Sequence, residues 1–225
     1  MTSEMLLEVA GLHRRFGGLS AVDGLSFNVR EGEIVSLIGP NGAGKTTAFN
    51  VITGIYPPTD GDIRFASRSL VGLAPHRVCA CGIGRTFQNL RIFPNLTVRD
   101  NVLVGFTLAN RASLLSALVR LPSQRREEKR LNGEVDALLH LLGLAEFEGH
   151  LARNLAYGDQ RRVEIARALA AQPRMMMLDE PAAGMNPAEI EDLNRLIRRM
   201  RDELGKTILL VEHHMNLVMG ISDRV

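Results

Sequence analysis

The sequence predicts an α/β protein: a mostly parallel sheet with helices on both faces. Three observations carry that expectation. Apolar runs in "EIVSLI" (33–38), "RMMMLDEP" (174–181) and "TILLVEH" (207–213) read as strands buried on both faces. Stretches with helical spacing of apolar positions alternate with them. A glycine-rich loop follows the first run directly and opens a helix.

The bulk properties agree. A chain of 225 residues suffices for one sizeable α/β domain, or a core with a smaller subdomain. Its 45% hydrophobic and 23% charged content is ordinary for a globular protein. A net charge of +2 gives no argument for nucleic acid or an anionic membrane. "LLSALV" (114–119) is far too short to span a bilayer. "MTSEMLLEV" lacks the basic and apolar regions of a signal peptide. Cys79 and Cys81 are too close for a routine disulfide. With His76 they offer only three metal ligands at unusual spacing, so structural thiols in a reducing compartment are expected.

Along the chain, residues 6–39 read as short strands punctuated by glycines. "KTTAFNVITGI" (45–55) is helical, and "GIYPPTDGDIRFA" ends it and turns into another strand. From Asn95 to about Gly149 the pattern becomes helical, in "TVRDNVLVGFTLANRASLLSALVRL" (97–121) and "QRREEKRLNGEVDALLHLLGL" (124–144). Leu131, Val135, Leu138 and Leu142 form one stripe in the second, and "RREEKR" is a solvated face. This stretch reads as an insertion into the core. The alternation returns after residue 158, with a helix in "PAEIEDLNRLIRRMRDEL" (187–204). There is no internal repeat. The chain stops at "ISDRV", where another strand is expected, so its C-terminal end reads as truncated.

The loop carries the chemistry. Gly39, Pro40, Asn41, Gly42, Ala43, Gly44, Lys45, Thr46 and Thr47 satisfy G-x-x-x-x-G-K-[ST] between a strand and a helix. Its N–H groups suit phosphate oxygens, Lys45 the β- and γ-phosphates, and the Thr46 hydroxyl a Mg²⁺ ion. Asp179 ends an apolar strand and holds the ion through water, if that strand neighbours the one delivering the loop. Glu180 then polarises the attacking water as general base. Gln88 in "RTFQN" could touch Mg²⁺ and the water, His213 in "LLVEHH" the γ-phosphate, and Phe16 on a glycine turn the adenine. A second anion site is written in "LARNLAYGDQRRVEIARAL" (151–169). There Gly158 sits at a turn and the apolar face of a helix begins at Gln160.

The order of these motifs resembles the ATP-binding cassette (ABC) ATPases over essentially the whole chain. "SLIGPNGAGKTT" is general to them. "RTFQNLRIF", "NLAYGDQRRVEIARAL", "LDEPAAGMNP" and "VEHHMNLVMGISDRV" more narrowly resemble LivG-type subunits of branched-chain amino-acid importers. The resemblance implies a P-loop NTPase core with a mostly parallel sheet, an N-terminal antiparallel β subdomain and an inserted α-helical subdomain. Residues 1–88 and 159–225 would form the nucleotide-binding core, and 89–158 the helical subdomain ending in the signature loop.

The resemblance further implies a head-to-tail pair of cassettes with two ATP molecules and Mg²⁺ at the interface. Leu155, Ala156, Tyr157, Gly158, Asp159 and Gln160 would then face the partner's ATP. Loss of the γ-phosphate loosens the pair, so binding and hydrolysis become closing and opening. Ala156 stands where the general pattern has a serine donor, Tyr157 where it has glycine, and Asn186 and His214 where aspartate is usual. The implied partners are two membrane permeases, whose coupling helices enter near Gln88 and "NLRIF". A second ATPase subunit of LivF type, or a second copy, and an extracytoplasmic binding protein complete the assembly. The implied location is the cytoplasmic face of the inner membrane. Leucine, isoleucine and valine are the first substrates to consider, with urea, amides and other amino acids using similar machinery. A lipopolysaccharide-type exporter shares the "RRVEIARALA" helix, but "LAYGDQ" and "RTFQN" favour the importer. A cassette acting on nucleic acid is disfavoured by the lack of a basic stripe interleaved with aromatics.

Overall fold

The computed structural model describes residues 4–109 and 122–225, and side chains except those of 107–109 and 122–128. "LLSALV" lies outside the described residues. Two compact units emerge, Met1–Gln88 with Arg174–Val225, and Asn89–Pro173.

The first unit holds two sheets. Strands β1 (Met5–Phe16) and β2 (Leu19–Arg30) form an antiparallel hairpin, extended by β4 (Asp60–Phe65) and the short β5 (Arg68–Ser69) in the order β2-β1-β4-β5. The series of short strands expected here is thus two strands of twelve residues each. The ladder absorbs an interior glycine as an irregularity: pairing shifts register between Val9 and Leu12, around Gly11, whose N–H turns to Ser26 Oγ at 2.8 Å.

The second sheet is wholly parallel, in the order β3 (Ile34–Leu37), β8 (Thr207–Val211), β7 (Met175–Asp179), β6 (Ile83–Arg85). Every residue of β7 and β8 is buried, which is why their sequences are continuous apolar runs rather than alternations. Nothing in the sequence marks β6: its three residues, Ile-Gly-Arg, are too few to show periodicity. At the outer edge of β3, Arg224 forms a parallel bridge to Val35. Helices α1 (Lys45–Ile52) and α2 (Pro75–Ala80) complete the first half of this unit. One core joins the sheets: Leu6, Leu7, Ile63 and Phe65 share a cluster with Phe49 and Ile52 of α1 and with Met175, Met177 and Leu209. Each such side chain gains about 1.5–3 kcal/mol from burial.

In the second unit, α3 (Val98–Ala109), α4 (Pro122–Leu141) and α5 (Tyr157–Ala170) follow the helical expectation. Of the expected stripe on α4, Val135 and Leu142 are buried while Leu131 and Leu138 are only partly covered; Leu139 is buried beside them. Helix α5 packs on α3 so closely that a Cβ on Gly105 would lie 2.2 Å from the Arg167 carbonyl oxygen. Residues 159–173 group by compactness with Asn89–Pro173, whereas the sequence predicts a boundary after residue 158.

Two further helices belong to the first unit. α6 (Pro187–Asp202) opens on Asn186, whose side chain accepts the N–H groups of Ala188 and Glu189 while Glu189 Oε2 accepts the Asn186 N–H. This is a full capping box, and asparagine is as good a cap as aspartate. α7 (Met215–Ile221) follows β8.

Candidate nucleotide site

The parallel strands deliver their functional side chains at their C-terminal ends, where open α/β sheets bind ligands. β3 leads into the glycine loop, β6 into Gln88, β7 ends on Asp179, and β8 precedes His213. The condition that β3 and β7 be neighbours is not met, because β8 lies between them. The two motifs still meet, because α1 starts at Lys45 and Thr46 Oγ1 donates to Asp179 Oδ1 at 3.3 Å.

Backbone shape explains the loop's composition. Gly44 caps α1 with φ +85°, and a Cβ there would sit 2.0 Å from the Ala21 carbonyl oxygen of β2. Only glycine satisfies both constraints. Lys45 is buried, and its Nζ donates to Gly39 O at 2.7 Å and Pro40 O at 2.9 Å. A cleft of about 430 Å³ runs beside it, lined by Ala21 and Asp23 of β2, Leu37, Ile38 and Gly42–Lys45.

Asp179 is 1% exposed and both its oxygens are engaged. Oδ1 faces Thr46, and Oδ2 accepts from Arg85 Nη2 at 3.0 Å, while Arg85 Nη1 donates to Thr53 Oγ1 at 2.7 Å. Burial pushes the Asp179 carboxyl above the usual carboxylate range, and the Arg85 guanidinium pulls it back only in part. Arg85 was not foreseen; "GIGRTF" carries no signal that its cation meets an acid 94 residues on. The hydroxyl of Thr46 and the carboxylate of Asp179 form an oxygen donor pair suited to a hard divalent cation.

Glu180 is held in the left-handed region at φ +47°, uncommon for a residue with a side chain. Its N–H bonds to Val211 O at 2.9 Å, and Gln88 Nε2 donates to its Oε2 at 2.9 Å. Sequence reading gave both residues to the same site, and the structure brings them into contact. His213 is exposed beside His214, their ring centroids 4.4 Å apart. Phe16 stands at the end of β1, 40% exposed, edge-on to Tyr56 at 5.2 Å, with the Arg14 guanidinium 4.3 Å from its ring centre. Neither Tyr56 nor Arg14 was expected there.

In the second unit, α5 begins three residues earlier than expected, so Gly158 lies in its first turn rather than at a preceding bend. Ala156 is the N-cap and supplies no side-chain bond. Gln160 Nε2 instead closes the loop on Leu155 O at 2.9 Å, Tyr157 is exposed, and Asp159 pairs with Arg162 at 3.3 Å. The segment 91–97 is pinned by Asn101, which takes the Phe93 N–H at 2.8 Å and donates to Phe93 O at 3.0 Å. Cys79 and Cys81 are free, and burial pushes the Cys79 thiol up.

The sequence profile described as ABC transporter matches residues 22–183. The chain belongs to the ABC transporter family. The high-affinity branched-chain amino acid transport ATP-binding protein LivG of Salmonella typhimurium is 50% identical over 223 residues, which cover 99% of this chain and 88% of that one. Among solved structures, the ADP conformation of an ATP-binding cassette of an ABC transporter matches with a TM-score of 0.84 at 30% identity, covering 98% of this chain and 86% of that one. A dimeric cassette in a post-hydrolysis state with ADP and phosphate matches with a TM-score of 0.77 at 26% identity, covering 98% and 96%. As an ABC cassette the chain is a nucleotide-binding, ATP-hydrolysing subunit of a transporter, and no helix among its described residues is long and apolar enough to cross a membrane.

Proposed function

We propose that this ABC subunit powers uptake of branched-chain amino acids through membrane permeases at the cytoplasmic face of the inner membrane. Half-identity to LivG across nearly the whole chain supports the substrate class. The observation that carries the chemistry is the meeting of Lys45, Thr46, Asp179, Glu180 and Gln88 at one end of the parallel sheet.

On this reading the N–H groups of Gly39–Thr47 cradle the phosphates, and Lys45 exchanges its carbonyl partners for the β- and γ-phosphates. Thr46, Asp179 and Gln88 would hold Mg²⁺, partly through water, and charge neutralisation at the phosphates is the chemistry it would supply. Glu180, oriented by the Gln88 amide, takes a proton from the water that attacks the γ-phosphorus, and the bond to ADP breaks. His213 donates to the γ-phosphate. Phe16 stacks on adenine, with Tyr56 and Arg14 behind it. Leu155–Gln160 reach the nucleotide of a second cassette, of LivF type or a second copy, and the dimeric relative with ADP and phosphate supports such a pair. A binding protein outside the membrane delivers the amino acid.

Reconstitution with the permeases and binding protein tests this reading. ATP turnover should rise on adding leucine, isoleucine or valine, and Lys45→Ala should abolish it. Turnover indifferent to all three amino acids would overturn the substrate assignment.

A further inference from the structure

Glu212 joins β8 to His213, yet nothing in the chemistry above uses it. Its side chain is fully buried. A buried carboxylate is costly unless its lone pairs are satisfied, and here four N–H groups converge on it. Oε1 accepts from the Ala182 N–H at 2.9 Å. Oε2 accepts from the His213 N–H at 2.9 Å, the His214 N–H at 3.1 Å and the His214 ring at 3.0 Å. A carboxylate only accepts, so Nδ1 of His214 carries the proton.

Glu212, His213 and His214 have the composition of a metal site. The carboxylate, however, is already spent on these N–H groups, which makes it a clamp rather than a ligand. What it clamps is informative. Ala182 lies two residues after Glu180, whose left-handed backbone is tied to Val211 O, at the end of the same strand. On its other oxygen Glu212 fixes the backbone of His213 itself. Strained backbone at a reactive residue persists only where its surroundings over-determine it.

We propose that Glu212 is a positioning residue, joining through its two oxygens the segment that holds Glu180 and the loop that holds His213. The general base and the γ-phosphate contact are thereby kept in one register, and a shift of either is transmitted to the other. The inference rests on the roles proposed above for Glu180 and His213.

Glu212→Gln tests it on the full chain. A carboxamide has one oxygen, so in either orientation its NH₂ group meets an N–H donor and one of the two ties is lost. The expected result is kcat for ATP lowered by about tenfold to hundredfold, since a misplacement of about 1 Å at a reacting group can cost about a hundredfold. KM for ATP should move by no more than about threefold, since uniform binding is untouched. On a His213→Ala background the loss from Glu212→Gln should be smaller than in the parent, because the two act as a unit. Glu212→Asp keeps the charge but is too short to span both segments, and should fall between; it serves if the glutamine variant does not fold.

Rates are to be expressed per ATP-binding site, with melting temperature measured alongside. A parental kcat per site, or losses fully additive with His213→Ala, would overturn the proposal and leave Glu212 a purely structural acid. Glu180→Gln is the control. If it hydrolyses normally, the roles proposed above fail and the inference with them; if it is slow and Glu212→Gln is not, only the inference fails.

Discussion

Asp179 is asked to be two things. Its carboxyl is buried between Thr46 and Arg85 and pushed up by desolvation. With a raised folded value, its contribution to stability is complete below the unfolded carboxyl value and is lost as pH climbs through the folded one. A metal ion wants the carboxylate and pulls the other way. Followed by carboxyl NMR, Asp179 should titrate above the ordinary aspartate range and move down on adding Mg²⁺ and nucleotide; a midpoint unmoved by the ion would count against its role as a ligand. Ala156 poses the opposite question, a missing hydroxyl. Its helix still begins with N–H groups that no side chain caps. Ala156→Ser should therefore change steady-state ATPase by several-fold at most, and a gain of orders of magnitude would show that the backbone alone does not suffice. At this scale the sequence was most legible where chemistry is contiguous. "GPNGAGKTT" and "LDEP" announce their roles through spacing. Arg85, Tyr56 and Glu212 do not, because each matters through a partner that only the fold brings near.

At the scale of elements, two glycines decide whether pieces can approach. Gly105 lets α3 lie against α5, where a methyl group would meet the Arg167 carbonyl at 2.2 Å. Gly105→Ala should cost about 1–3 kcal/mol, the usual cost of overpacking, read as a lower denaturant midpoint with an unchanged slope. Gly44→Ala adds a left-handed backbone to a 2.0 Å collision with β2, so it should abolish ATP binding as judged by fluorescent-nucleotide titration. At the start of α6, Asn186→Ala removes a cap that accepts two N–H groups, and should cost about 1 kcal/mol in thermal unfolding. Element identity was legible where runs were long and periodic, as in α6 and the buried strands β7 and β8. It failed in three physical situations. Interior glycines in β1 and β2 were absorbed as irregular pairings instead of ending strands. β6 was too short to leave a pattern. The start of α5 is capped by no polar side chain, so nothing marked Tyr157 as its first residue.

Over the whole molecule, the order of motifs along the chain carried the fold, because each motif sits at a strand end or helix start that the α/β arrangement requires. The order of strands across the sheet was not legible: β8, last in sequence, inserts between β3 and β7, and nothing local encodes that choice. On the proposed function, the sheet's C-terminal ends assemble an ATP-hydrolysing centre with Glu180 as its base. The decisive experiment is single-turnover hydrolysis of bound ATP by Glu180→Gln. ATP affinity should stay parental while hydrolysis slows by about a hundredfold or more, as expected when a general base is removed. Hydrolysis within a few-fold of the parental rate, with ATP still bound, would contradict it.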